Sequence, residues 1–222
     1  MSTAESCRAP VATTTGNPEL TGATRLGRVA ASYVLVAVGI GLLIRADLGV
    51  APFDVLNTGI AEATGIRLGF AFLVTCVVFY GLGVLLGGRT GWASLIGTVV
   101  IAPLLEVVLI LLPEPLRLAG RIPMFVVGVV VLVAGVCLVI TTEMGPGPGE
   151  VFMLGLIARG MAVAPARWVT DAVALVVGIA LGGAVGAGTV VFAFAFGPLV
   201  AAGLRVLRYT PPTRSAEVVV AP

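Results

Sequence analysis

Between positions 122 and 140 the chain has no charged side chain, and most of its residues are Val, Leu, Ile, Gly or Ala. A helix of ~20 such residues crosses a hydrocarbon layer ~30 Å thick. Comparable stretches cover 29–44, 68–86, 92–112, 168–183 and 184–204, the last two separated by a Gly-rich break. Hydrophobic residues make up 59% of the chain, only 11% are charged, and the mean hydropathy is +1.14. These values exclude an ordinary soluble domain and predict an all-α, polytopic transmembrane helical bundle in a lipid bilayer.

The ends differ from this core. Residues 1–28 are polar, rich in Thr, Ala and Pro, and contain no apolar signal-like segment, so a disordered cytoplasmic tail is expected there. A second loose tail is expected over 208–222. The chain has no His, and its three cysteines, Cys7, Cys76 and Cys137, have neither metal-ligand nor disulfide spacing. GPGPGE lacks the Lys-Ser/Thr ending of a phosphate loop. Neither catalytic residues, a metal, a cofactor nor a nucleic-acid partner is therefore expected, and the protein is not read as an enzyme.

DLGVAPFDVLNTG at 47–59 recurs in outline as EMGPGPGEVFMLG at 143–155. The alignment pairs Asp47 with Glu143, Gly49 with Gly145, Pro52 with Pro148, Asp54 with Glu150 and Gly59 with Gly155. After a one-residue slip it continues through Leu86-Gly87-Gly88 with Leu181-Gly182-Gly183 and Pro103-Leu104 with Pro198-Leu199. This ordered series predicts two internal repeats, about 29–112 and about 122–207, within a transmembrane domain over 29–207. Each repeat would hold three spans plus one short half-helix. Pro52 suits a first helical turn, and a helix to Ala63 followed by Gly65 would reach about half the membrane. Three spans per unit imply inverted repeats, whereas four would make the repeats parallel. With six spans and the N-terminus inside, Arg45, Arg67, Arg117 and Arg121 fall outside; with eight, only Arg45 and Arg89 do. The charge count favours eight crossings and segment length favours six. Both place the termini in the cytoplasm.

A carboxylate at membrane depth costs about 3 kcal/mol even on insertion scales, so each acid there needs a partner or a purpose. Asp47, Asp54, Asn57, Glu106, Glu143 and Glu150 are candidates for a substrate or ion site. At the broken-helix elements the acids could cap helices, or suit a cavity to a cation or proton. Arg45 is expected to pair locally with Asp47, two residues away. Arg167 and Asp171, four residues apart, should share one face of a helix as a structural ion pair. Glu106, three residues after Pro103 in the third span, has no opposite charge nearby in sequence. Gly81, Gly83, Gly128, Gly135 and Gly178 are expected to permit close helix packing, and Trp92 and Trp168 to anchor span ends at the interface.

ADLGVAPFDVLNTG, MGPGPGEVFMLGL, RWVTDAVALVVGIALGG and GAGTVVFAFAFGP together resemble the YczE branch of the YczE/YyaS/YitT family of bacterial membrane proteins, over roughly residues 28–208. Gly149 stands where a basic residue is more familiar in that family. The resemblance implies a multi-pass protein of the bacterial inner membrane with a duplicated helical unit, and supplies no substrate. Two functions fit these features: a transporter-like protein moving a small solute or ion between its repeats, or a non-transporting membrane accessory or scaffold.

Overall fold

A computed structural model describes residues 22–88, 90–114, 117–142, 145 and 147–208. Among these residues all regular structure is helical: α1 Gly22–Ala46, α2 Pro52–Thr64, α3 Leu68–Leu85, α4 Trp92–Leu111, α5 Leu118–Ile140, α6 Pro148–Ala158, α7 Val163–Ala180 and α8 Ala187–Val206. Five of them, α1, α3, α4, α5 and α8, are long and apolar enough to cross a membrane. Helix α7 is not among the five. It starts earlier than the span expected at 168–183, and Arg167 and Asp171 occupy its first turns. Helix α1 likewise starts before position 29, so Arg25 lies on an exposed helical extension rather than in an irregular tail. Most of both expected tails, and Glu143, lie outside the described residues.

The short segments form as their residues dictate. Pro52 occupies the first turn of α2, where its missing N–H costs nothing, and Gly65 ends the helix in the left-handed region at φ 70°. Pro148 plays the same part in α6. Thirteen and eleven residues reach only ~20 and ~17 Å.

Helix directions follow from which residues meet. A methyl group added at Gly39 of α1 would lie 2.7 Å from the Leu132 backbone of α5, and one at Gly135 of α5 would lie 2.9 Å from Val36 N. The numbers run oppositely, so α1 and α5 are antiparallel. Gly97 approaches Tyr33 and Gly41 approaches Val108, so α1 and α4 are parallel. Gly69 approaches Ala102 while Tyr80 meets Thr98, which makes α3 antiparallel to α4. Ala46 and Leu68 therefore lie at the same end of the bundle, and α2, which joins them, does not cross it.

The two halves contact one another reciprocally. Gly83 of α3 packs on the Val151 backbone of α6, as Gly178 of α7 packs on the Val55 backbone of α2. Gly59 abuts Gly178 O and Gly155 abuts Gly83 O, at 2.5 and 2.6 Å from an added methyl. Gly49 meets Gly186 and Thr189, and Gly145 meets Gly91 and Ser94. Gly128 and Gly135 lie at the α1–α5 contact, whereas Gly81 has nothing within 4 Å. Helix α4 packs on α1 as α8 packs on α5. One contact breaks the pattern: α3 packs on α4, but among the described residues α7 makes no comparable contact with α8.

The core around α1 and α5 is apolar, with Leu43, Val50, Val55, Leu105 and Val151 almost fully enclosed. Large aliphatic residues exposed along α3, α4, α5 and α8 form the outer surface, as a lipid-facing belt requires.

Candidate functional site

Asp54 and Asn57 stand one helical turn apart at the start of α2, 5% and 2% exposed. Ala51, in extended conformation before the helix, offers no side-chain cap, and its carbonyl accepts the Asp54 and Val55 N–H groups. Asn57 Nδ2 donates to Asp54 Oδ1 at 3.1 Å, whereas buried Asn57 Oδ1 has no hydrogen-bond partner. No arginine among the described residues pairs with Asp54. Thr58 Oγ1 donates to the Asp54 carbonyl at 3.0 Å and accepts Ala184 N–H at 3.0 Å, tying this turn to the α7–α8 connection. The site thus offers a carboxyl group and an amide oxygen, both acceptors, away from water. An unmet acceptor beside a buried carboxyl group suits a proton or a small cation.

The matching element in α6 has other surroundings. Glu150 is about half exposed, and its Oε1 is 3.5 Å from Arg167 NH1. Arg167 Nε donates to Asp171 Oδ2 at 2.9 Å, so one guanidinium faces two carboxylates. Counting back 95 residues from Arg167 and Asp171 gives Phe72 and Cys76, which supply no charge beside α2.

The short helices are joined through α3. Phe79 is edge-on to Phe53 of α2, with ring centroids 5.2 Å apart, and tilted against Phe152 of α6 at 5.3 Å. Leu56 and Ala174 complete this apolar cluster between the two polar turns.

Elsewhere the acids are dispersed. Arg45 does not pair with its neighbour Asp47: it bonds Glu114 and the Leu109 carbonyl, while Asp47 accepts from Arg121 NH1 at 2.8 Å. The turn after α1 explains this, since Asp47 has φ 50° and its side chain leaves the face that carries Arg45. Glu106 Oε1 accepts the Gly69 N–H at 2.6 Å, capping the start of α3. Thus Asp54, Asn57 and Glu150 belong to the short-helix turns, while Asp47 and Glu106 serve other contacts.

Sequence reasoning overlooked the partners Glu114 and Arg121, whose contacts span 69 and 74 positions and leave no local signal. It also overlooked Thr75 and Thr170, both buried, each donating to the carbonyl four residues before it. The 95-residue spacing relates these two and could have revealed them.

Residues 23–204 match the family of unknown function DUF6198. An uncharacterized protein of Haemophilus influenzae is 31% identical over 179 residues, covering 80% of this chain and 82% of that protein. The uncharacterized membrane protein YczE of Bacillus subtilis is 25% identical over 204 residues, covering 86% and 93%. No solved structure matches. With the family match spanning every described helix from near the start of α1 to near the end of α8, this multi-pass membrane protein belongs to DUF6198, the YczE-type family.

Proposed function

We propose that this protein is a transporter-like, non-enzymatic membrane protein in which two inverted repeats flank a site for a proton or small cation at Asp54 and Asn57. The observation that carries the proposal is the pairing of a buried, arginine-free carboxyl group with an unmet amide oxygen at the start of a helix that does not cross the bundle. Non-crossing helices at the junction of inverted halves are a recurrent place for ion sites in transporters. The reciprocal packing of Gly83 with Val151 and of Gly178 with Val55 supports a duplicated unit.

We read six crossings, with α7 as the sixth beside the five long apolar helices, and the arginine distribution is compatible with them. Of the four arginines at the Ala46 end, Arg45 and Arg121 are engaged by Glu114 and Asp47 and so contribute less to a free positive loop. We place both termini in the cytoplasm and the protein in the bacterial inner membrane.

The accessory or scaffold reading draws on a different observation: Asp47, Glu106 and Glu150 each have a structural partner. Proteoliposomes separate the two. With a pH-sensitive dye trapped inside and a proton, sodium or potassium gradient imposed, the wild type should change internal pH faster than empty vesicles. Asp54→Asn, still monodisperse in detergent, should remove the difference. A wild-type response equal to that of empty vesicles under all three gradients would defeat the ion-site proposal.

A further inference from the structure

Among the described residues, the α3–α4 contact is the one extensive interface whose counterpart is not closed. In the first half, an added methyl at Gly69 would lie 2.4 Å from Ala102 O, Glu106 Oε1 holds the Gly69 N–H, and Tyr80 Oη lies 3.5 Å from Thr98 Oγ1. The positions on α8 that correspond to Thr98, Ala102 and Glu106 are Ala193, Gly197 and Ala201. All three are exposed, and a methyl at Gly197 would have nothing within 4 Å. Small residues at this four-residue spacing make a flat face that another helix can approach closely. The fold itself suggests the occupant: α7 is to α8 what α3 is to α4, and the two are joined through residues 181–186.

Building on the transport proposal, we infer that α3–α4 and α7–α8 are two alternating gates, and that in a second state α7 closes over Ala193, Gly197 and Ala201 while α3 parts from α4. Exchange of conformation between inverted halves would switch the end of the bundle at which the interior opens. The burial of the two polar turns agrees. Asp54 is enclosed on α2, which packs on α3, and Glu150 is half exposed on α6, which packs on α7. Each gate helix would carry a short helix with it, since Gly83 locks α3 to α6 and Gly178 locks α7 to α2. The polar groups that latch α3 to α4, Glu106 and Thr98, have only Ala201 and Ala193 as counterparts on α8. The state seen here is accordingly the latched one, and the second closes by packing alone.

Paired cysteines test the inference. In a chain with Cys7, Cys76 and Cys137 replaced by Ala, Leu175→Cys and Ala193→Cys report α7–α8 closure, and Tyr80→Cys with Thr98→Cys report α3–α4 closure. A short bifunctional thiol reagent is applied to native membranes. Adding Glu106→Ala removes the hydrogen bond to Gly69 N–H from the latched state, so the Leu175–Ala193 cross-link should rise roughly tenfold while the Tyr80–Thr98 cross-link falls. Glu106→Gln, which keeps the acceptor, should behave nearly as wild type and shows that the Ala variant acts through the latch. The gate is overturned if the Leu175–Ala193 pair links in neither background while the other pair links. It is also overturned if the Leu175–Ala193 product has the mass of a dimer, which would make the α8 face a contact between copies. In the proteoliposome assay, ion movement that survives Leu175–Ala193 cross-linking removes the gate but leaves transport. Intramolecular cross-linking in a protein that moves no ion removes transport but leaves the gate.

Discussion

The turns at Asp54 and Glu150 share a backbone plan and differ in what faces them. Both acids occupy the first turn of a short helix opened by Pro52 or Pro148, and both helices pack through glycines on the opposite half. Around Asp54 the neighbouring helix offers Phe72 and Cys76, whereas around Glu150 it offers Arg167 and Asp171. Among the described residues one turn is enclosed and has no arginine partner, and the other is open and ion-paired. A shared local motif therefore sets where an acid stands, and the residues that face it set what the acid can do.

The largest effect should come from the glycine contacts common to both turns. Gly178→Val would drive a branched side chain into the Val55–Leu56 backbone, costing about 3 kcal/mol and lowering the detergent melting temperature sharply. Gly83→Val, facing Val151 and Phe152, should behave alike; if only one of the pair were damaging, the equivalence of the halves would fail. Next in size is Asp54→Ala, which strips the buried Asn57 amide of its acceptor at a cost of about 1–3 kcal/mol, against at most about 1 kcal/mol for Glu150→Ala at a half-exposed pair. Equal losses in thermal unfolding would mean that the two turns do not differ in how their acids are held. The smallest effect is expected at Gly81, where nothing lies within 4 Å: Gly81→Ala should leave stability unchanged or raise it by less than about 1 kcal/mol through helix propensity.

Much of the fold was legible because lipid permits few backbone solutions. The short helices at Pro52–Thr64 and Pro148–Ala158 begin at their prolines, as expected, and α2 stops at Gly65. The fifth span was less legible, since residues 163–167, Arg167 among them, extend α7 ahead of the apolar stretch that marks it, and Asp171 lies within that stretch. For the candidate site, the repeat singled out Asp54 and Glu150 but not their different surroundings. Arg45 and Asp47 show the limit most plainly: opposite charges two residues apart suggested a pair, yet a left-handed turn at Asp47 sent each to a partner far along the chain.

By itself the sequence determined a helical membrane protein with two short, proline-started helices, because apolar length, Pro and Gly act through the local backbone. Only the tertiary structure decided that α1 and α5 run antiparallel, that α2 begins and ends at one end of the bundle, that Asp54 is enclosed while Glu150 is paired, and that α3 meets α4 while α7 stands off α8. These depend on which residues of distant segments come within a few ångströms, and short-range contact between helices leaves no periodic trace in either helix alone.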